Sequence, residues 1–373
     1  MIKLILFFKK DIVFSIAMIF AIFSCFLVPP SRSYLGYINT TVIIIMFSLM
    51  IAVAGMKKAN LFSKIAIFLT SKFFTIRYIA MTLVLSSFFL GMWVTNDAVL
   101  LTLVPFTIIV TKQTSQEKNT LLIVILQTFA ANMGATLTPM GDPQNIYLYS
   151  YYHLQFSDFI MHMIPITLSA LVLLILSVVL LIPNEFVHPM MVSPKLDYRK
   201  LPFYFLIFFL TLLTVLGVVP AYTSLINTLV LTIVFFPKLF KEVDYHLLLT
   251  FVMFFIFTGN MTSSGIFDHF FSSFLNSKIS VYFVSFITSQ FISNVPASIL
   301  LSPFVTPEFA YSLVQGANVG AMGSIVGSLA SLITFKFVIQ SYPGEKKSYL
   351  KTYTFLSVIY IIIISCIVFL TYY

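Results

Sequence analysis

Apolar runs of about 20 residues, the length that crosses the hydrocarbon core of a bilayer, recur from one end of this chain to the other. That feature leaves few folds open. Backbone amides in lipid have no water to bond, so a spanning segment closes its hydrogen bonds internally, as a helix. The composition is 60% hydrophobic and 9% charged. A soluble domain carries roughly a quarter charged residues, so that class is excluded. The expected fold is an all-α polytopic membrane protein, with a single transmembrane domain over 1–373. Spans are expected at 12–28, 38–56, 120–150, 158–182, 203–218, 224–240, 247–259, 313–340 and 352–371. The first run follows Lys9-Lys10, as in a signal peptide, but "VPPSRS" after it is a poor small-residue cleavage site, so the run is expected to stay. Cys25 and Cys366 lie in separate apolar runs, which points to neither a disulfide framework nor a metal cluster.

Two stretches, 78–111 and 280–312, do not read as simple spans. At their middles lie "TNDAVLLTLVPF" from Thr95 and "SNVPASILLSPF" from Ser293, each with an asparagine nine residues before a Pro-Phe pair. Each stretch reads as a re-entrant hairpin, with Asn96 or Asn294 at its tip near the midplane. Non-helical backbone at that depth is tolerated only where it is buried in protein or lines a wet cavity. Pro105 and Pro303 are expected to end or kink the returning helices.

The halves match again downstream. In "ANMGATLTPMG" and "ANVGAMGSIVG", Ala131, Asn132, Gly134, Ala135 and Gly141 align with Ala317, Asn318, Gly320, Ala321 and Gly327. Upstream, "GMKKANLF" from Gly55 loosely matches "GNMTSSGIF" from Gly259. Each half therefore reads as span, interfacial stretch, hairpin, broken span, over approximately 38–182 and 247–371. The stretch from Lys57 to Arg77 holds five basic residues and no acidic one, whereas Asn260 to Ser280 holds Lys278 and Asp268. Opposite faces follow, and so does an inverted-topology repeat, a hallmark of secondary transporters. With the N-terminus cytoplasmic and the C-terminus outside, 19 of the 21 Lys and Arg residues fall on the inner side, Arg32 and Lys278 being the exceptions. The net charge of +9 is explained by those inner loops, and no nucleic-acid partner is expected.

Polar side chains inside spans are costly and need a reason. A helix break at Asn96 or Asn294 frees carbonyls that can coordinate sodium, and aims helix N-termini at an anion. Asparagine serves both, with one acceptor and two donors. Thr95 and Ser293 add hydroxyls. The segment Asn132 to Asn145 holds two glycines and two prolines, so a continuous helix is not expected. Asn318 to Ser331 has three glycines and no proline, so a gentler break is expected there. Asn132 and Asn318 are candidate ion or hairpin contacts, and Gly134 and Gly320 would let carbonyls approach an ion. Asn145 and Ser328 complete the candidate substrate set. The competing reading of the small residues is close helix packing. Asp142 is a candidate ion-coupling group; its competing reading is a turn or cap before Pro143. His153, His162, His188, His246 and His269 have no metal-ligand spacing and read as structural or interfacial. No HExxH, GxSxG or phosphate-binding loop is present, so no enzyme and no cofactor beyond a coupling ion is expected.

"TNDAVLLTLVPF", "ANMGATLTPMGDPQNIYLY", "SNVPASILL" and "GANVGAMGSIVGSLASLI" together resemble the ion transporter superfamily, nearest its citrate-transporter-like permeases, over roughly 38 to 340. That family contains sodium–dicarboxylate symporters, sodium–proton antiporters and arsenite pumps. The resemblance implies inverted repeats, each with a hairpin and an unwound span, and a homodimer. Its dicarboxylate branch carries Ser-Asn-Thr at each tip. This pattern falls on Thr95-Asn96-Asp97 and Ser293-Asn294-Val295. The resemblance implies that the asparagines touch both sodium and substrate. Both final threonines are lost here: Val295 removes a hydroxyl, and Asp97 adds a charge that repels a dianion unless it carries a proton or pairs with sodium. The leading reading is a permease for a small anion, an organic carboxylate above all, coupled to sodium or protons. Alternatives are a sodium–proton antiporter, motivated by Asp97 and Asp142, and an arsenite or antimonite exporter, motivated by "GSLAS" at Gly327. An intramembrane enzyme acting on lipids lacks an acid–base or metal constellation, and a channel fits poorly with paired hairpins.

Overall fold

The computed structural model describes residues 12–187, 194–266, 271 and 273–373. Lys3, Lys9, Lys10, His188, Asp268 and His269 lie outside the described residues. The first part of the chain folds as α1 (Ile12–Ser24), α2 (Thr40–Lys58), α3 (Leu61–Thr70), α4 (Ile76–Gly91), α5 (Asn96–Gln113), α6 (Glu117–Ala135), α7 (Pro143–Tyr151) and α8 (Phe156–Leu181). Two short helices follow, α9 (Leu201–Val215) and α10 (Ala221–Phe235). The remainder forms α11 (Tyr245–Ser264), α12 (Lys278–Ile292), α13 (Asn294–Leu301), α14 (Ala310–Gly320), α15 (Leu329–Ser341) and α16 (Lys346–Tyr372). Helices α2, α8 and α11, and the stretch Pro343–Tyr372 that contains α16, are long and apolar enough to cross a membrane. Among the described residues no strand ladder forms. One isolated bridge, Thr75 to Phe186, ties the segment after α8 to the start of α4. Arg77 Nε donates to the Ile182 carbonyl at 2.8 Å, and Glu185 takes hydrogen bonds from Lys118 and Gln116 beside it. Those two donors hold the exposed Glu185 carboxyl below the usual carboxylate range.

Helices α4 and α5, and α12 and α13, occupy the stretches expected as hairpins, and α6 and α7, and α14 and α15, those expected as broken spans. The element pairs repeat across the halves. Helix α4 packs on α6 as α12 packs on α14, and α5 on α6 as α13 on α14. Between the halves, α15 packs on α5 as α7 packs on α13, and α14 lies against α8 as α6 lies against α16. The core sits around α6, which is buried from Ile123 to Ala135. Phe129 there meets the rings of Tyr353 and Tyr360, both at 5.1 Å between centroids. His162 stacks on Tyr311 at 3.8 Å, and His246 meets Phe14 edge-on at 5.4 Å.

The interfacial stretch gains a helix, and the expectations for the prolines and for the second break change. The stretch from Lys57 to Arg77 contains a helix, α3, entered through Asn60 in the left-handed region at φ 63°. Helix α5 runs through Pro105 to Gln113, because its buried residues Leu103, Val104, Thr107 and Ile108 hold both sides of the lost amide in the core. Pro303 instead lies in a 3-10 turn after α13 has ended. The break from Gly320 to Leu329 is no gentler than the one from Ala135 to Pro143. Turn hydrogen bonds hold it open: Gly323 N–H to the Gly320 carbonyl at 3.0 Å and Gly327 N–H to the Ser324 carbonyl at 3.0 Å.

Gly134 and Gly320 lie where the first arm of each hairpin touches the broken span. A methyl group on Gly134 would overlap the Phe88 carbonyl oxygen, whereas on Gly320 it would sit 2.8 Å from the Ser289 Cβ and 2.9 Å from the Phe286 carbonyl oxygen. Gly134→Ala is therefore expected to destabilise the fold by about 3 kcal/mol, the upper end of overpacking costs, and Gly320→Ala by less. Thermal unfolding in detergent measures both; equal midpoints for wild type and Gly134→Ala would show that the two helices can part without cost.

Candidate functional site

The two hairpin tips are built alike. Helix α5 begins at Asn96 and α13 at Asn294. The Asn96 backbone N–H donates to the Gly141 carbonyl at 3.2 Å, and that of Asn294 to the Gly327 carbonyl at 2.9 Å. Thus the aligned glycines of the two broken spans anchor the two tips. Each asparagine Oδ1 accepts the next backbone N–H, from Asp97 at 2.8 Å and from Val295 at 2.9 Å. A backbone N–H can only donate, so each Oδ1 must face it and each side-chain NH₂ must point away.

Both NH₂ groups point to one place. The Asp142 Oδ2 accepts from Asn96 Nδ2 at 2.9 Å and from Asn294 Nδ2 at 3.3 Å. Asp142 occupies the N-cap position of α7, yet its side chain caps no amide of that helix. It is 3% exposed, and among the described residues it makes no ion pair. Its donors are neutral amides, so no cationic side chain among the described residues offsets its charge. Its counterpart in the second half is Ser328, with nearly the same backbone: φ −142° and ψ 139° at Asp142, φ −144° and ψ 142° at Ser328. The same backbone position therefore carries charge in one half only.

A second layer locks this arrangement. Asn132 Oδ1 accepts from Asn96 at 2.9 Å and from Ser328 Oγ at 3.0 Å, and its Nδ2 reaches Ser331 Oγ at 3.4 Å. Asn318 Nδ2 donates to Asn145 Oδ1 at 2.7 Å, and its Oδ1 accepts from Gln144 Nε2 at 3.2 Å. The bond from Asn132 to Ser331 and the bond from Asn318 to Asn145 join equivalent positions of opposite halves. Gln144 was not singled out in the sequence. It is fully buried, and its Oε1 has no hydrogen-bond partner. The signal available was the density of amides in "GDPQN".

Asp97 does not join this cluster. It faces a cavity of about 460 Å³ between α2, α5, α7, α11 and α15, within the size range of small-molecule sites. Thr95, Asp97, Lys57, Lys58, Glu242 and Asp244 supply its polar lining. Asp97 Oδ1 has no hydrogen-bond partner there. Pro143, next to Asp142, also lines the cavity, so its floor lies one residue from the central carboxylate. Gly134 and Gly320 pack helices together, as described above.

Ser293 precedes the second tip with φ 75° and ψ 154°, a region that is essentially glycine territory. Its hydroxyl makes only long bonds, to Asn294 Oδ1 at 3.3 Å and the Gly327 carbonyl at 3.5 Å. Ser293→Gly is expected to raise stability by about 1 kcal/mol by releasing backbone strain. A lower thermal midpoint in that variant would show that the hydroxyl outweighs the strain.

Sequence comparison agrees with a membrane transport role. The chain matches the citrate transporter family over residues 2–307. It is 30% identical over 295 residues to an uncharacterized transporter of Methanocaldococcus jannaschii, covering 78% of this chain and 79% of that one. It is 29% identical over 332 residues to the inner membrane protein YbiR of Escherichia coli, covering 88% of each. An uncharacterized transporter of Mycobacterium tuberculosis matches at 30% over 140 residues, 37% of this chain and 32% of that one.

Proposed function

The chain belongs to the citrate transporter family, and from that premise we propose a secondary active transporter that couples movement of a small anion, an organic carboxylate, to a cation bound at Asp142. Membership makes the protein a multi-pass membrane transporter. The observation that carries the finer reading is the single buried carboxylate that both hairpin tips hold. A sodium ion or proton arriving at Asp142 competes with the two asparagine amides. Binding it changes the contact between the halves, which is what a coupling site in a rocking transporter must do. The cavity beside Asp97 is the solute chamber in this reading. An anion entering it meets Lys57 and Lys58, but also Asp97, Glu242 and Asp244. The coupling cation therefore binds first and offsets that repulsion.

The reciprocal bonds of Asn132 and Asn318 support treating 38–182 and 247–371 as repeats; their inversion, with a cytoplasmic N-terminus and an external C-terminus, rests on the bias of Lys and Arg between the loops. A homodimer is part of the same proposal. A second reading, sodium–proton antiport, is favoured by one observation: neither Asp97 nor Asp142 has a cationic partner among the described residues.

Proteoliposomes loaded with a pH dye, with the membrane potential clamped, separate the two. Under a sodium gradient with no organic solute, the anion permease gives no pH change, and labelled citrate enters when a sodium or proton gradient is imposed. A sodium-driven pH change without solute replaces it with antiport. Asp97→Asn is expected to alter the pH profile of citrate entry; an unchanged profile would remove Asp97 from the solute chamber's chemistry.

A further inference from the structure

We propose that a second cavity, between the C-terminal end of α2 and helices α9 and α10, is a binding site for an anionic phospholipid. The cavity measures about 280 Å³ and does not touch the Asp142 cluster. Its rim carries three ammonium groups, Lys58, Lys200 and Lys238, against one carboxylate, Asp197. Lys200 pairs with Asp197 at 2.6 Å, and Lys58 with Glu242 at 2.7 Å. Lys238 has no carboxylate partner among the described residues. The excess positive charge therefore sits at the mouth, where a phosphate can reach it.

The walls fit a lipid better than a free ion. Tyr204 and Phe236 meet at 4.8 Å between centroids, and Phe235 flanks them with half its surface exposed. Aromatic rings beside lysines mark the headgroup level of a membrane. From Phe235 the exposed side chains Val234, Val230 and Ile226 run along one face of α10, spaced four residues apart. That face is apolar and uncovered by described protein, so acyl chains complete it while the phosphate sits among the lysines. Basic pockets between helices beside an apolar face are the expected place for acidic headgroups. Lys58 also lines the cavity beside Asp97, so the two cavities share one residue, but the lipid site needs only membrane embedding and not the transport reading.

The test uses the full chain purified in a nonionic detergent. Its thermal midpoint is followed as phosphatidylglycerol, phosphatidylcholine or inorganic phosphate is added. Phosphatidylglycerol is expected to raise the midpoint saturably, phosphatidylcholine about 5-fold less effectively at equal concentration, as the one free lysine contact of about 1 kcal/mol implies. Lys238→Gln, at an exposed residue outside any ion pair, is expected to weaken the phosphatidylglycerol effect about 5-fold on the same basis. Asp197→Asn is expected to strengthen it, because Lys200 is released to the phosphate. An equal response to both lipids, or no change in either variant, overturns the site. A full response to inorganic phosphate overturns the lipid and leaves a free anion as the ligand.

Discussion

Asp142→Asn is expected to lose gradient-driven uptake by about 100-fold while solute exchange across the membrane at equal cation concentrations persists. The figure corresponds to a coupling free energy near the top of the usual range of about 1–3 kcal/mol between linked sites. The structural reason is specific. Asparagine at position 142 keeps the shape, and its amide oxygen in the Oδ2 place can accept from both Asn96 and Asn294. It loses the charge that binds a cation. The stability loss is therefore small, about 1 kcal/mol, because the two bonds become bonds between neutral groups. Uptake and exchange assays on the same proteoliposomes separate the two effects. If driven uptake and exchange fall together, Asp142 holds the solute or the fold and is not the coupling site. If neither falls, the central carboxylate has no part in transport.

Removing the donors makes the complementary experiment. Asn96→Ala strips a donor from Asn132 and from Asp142 together, both at 2.9 Å. It takes one donor from each of two buried acceptors, leaving Asn132 Oδ1 with Ser328 and Asp142 Oδ2 with Asn294, and is expected to cost about 3 kcal/mol. Asn294→Ala removes a longer bond, 3.3 Å, to the same oxygen, and is expected to cost about half as much. Both variants are expected to lose transport by about 100-fold at permissive temperature, since each unlinks one half from the shared carboxylate. Combining Asn96→Ala with Asp142→Asn should cost less stability than the sum, because the second change removes the charge from the group that the first deprived of a donor. Strict additivity would show that the two side chains do not act on each other. Wild-type flux in Asn294→Ala would remove the second hairpin from the site.

Much of the architecture was legible before any fold was known. Bilayer-length apolar runs dictated helices, and Asn-x₈-Pro-Phe in both halves marked the tips. The aligned glycines located the breaks, where Gly141 and Gly327 receive the tip amides. Local sequence was a poorer guide where packing overrode it. Pro105 lies inside a helix because its neighbours are buried on both sides, and the proline-free break in the second half is as long as the first. The strain at Ser293 was illegible, since serine gives no sign of a positive φ.

What the sequence by itself determined is the set of polar groups that a greasy chain keeps at depth, and their order along two matched halves. Burial of an amide or carboxylate in lipid is costly, so each one in the sequence announces itself. Only the tertiary structure decided which of them meet. Asp97 sits beside the tip asparagine in sequence, yet its side chain leaves toward a cavity. Asp142, 46 residues from Asn96 and 152 from Asn294, receives both. The reason is geometric: successive residues of a helix point about 100° apart, so adjacency in the chain separates side chains, and only the packing of two hairpins against one broken helix brings distant ones to a single oxygen.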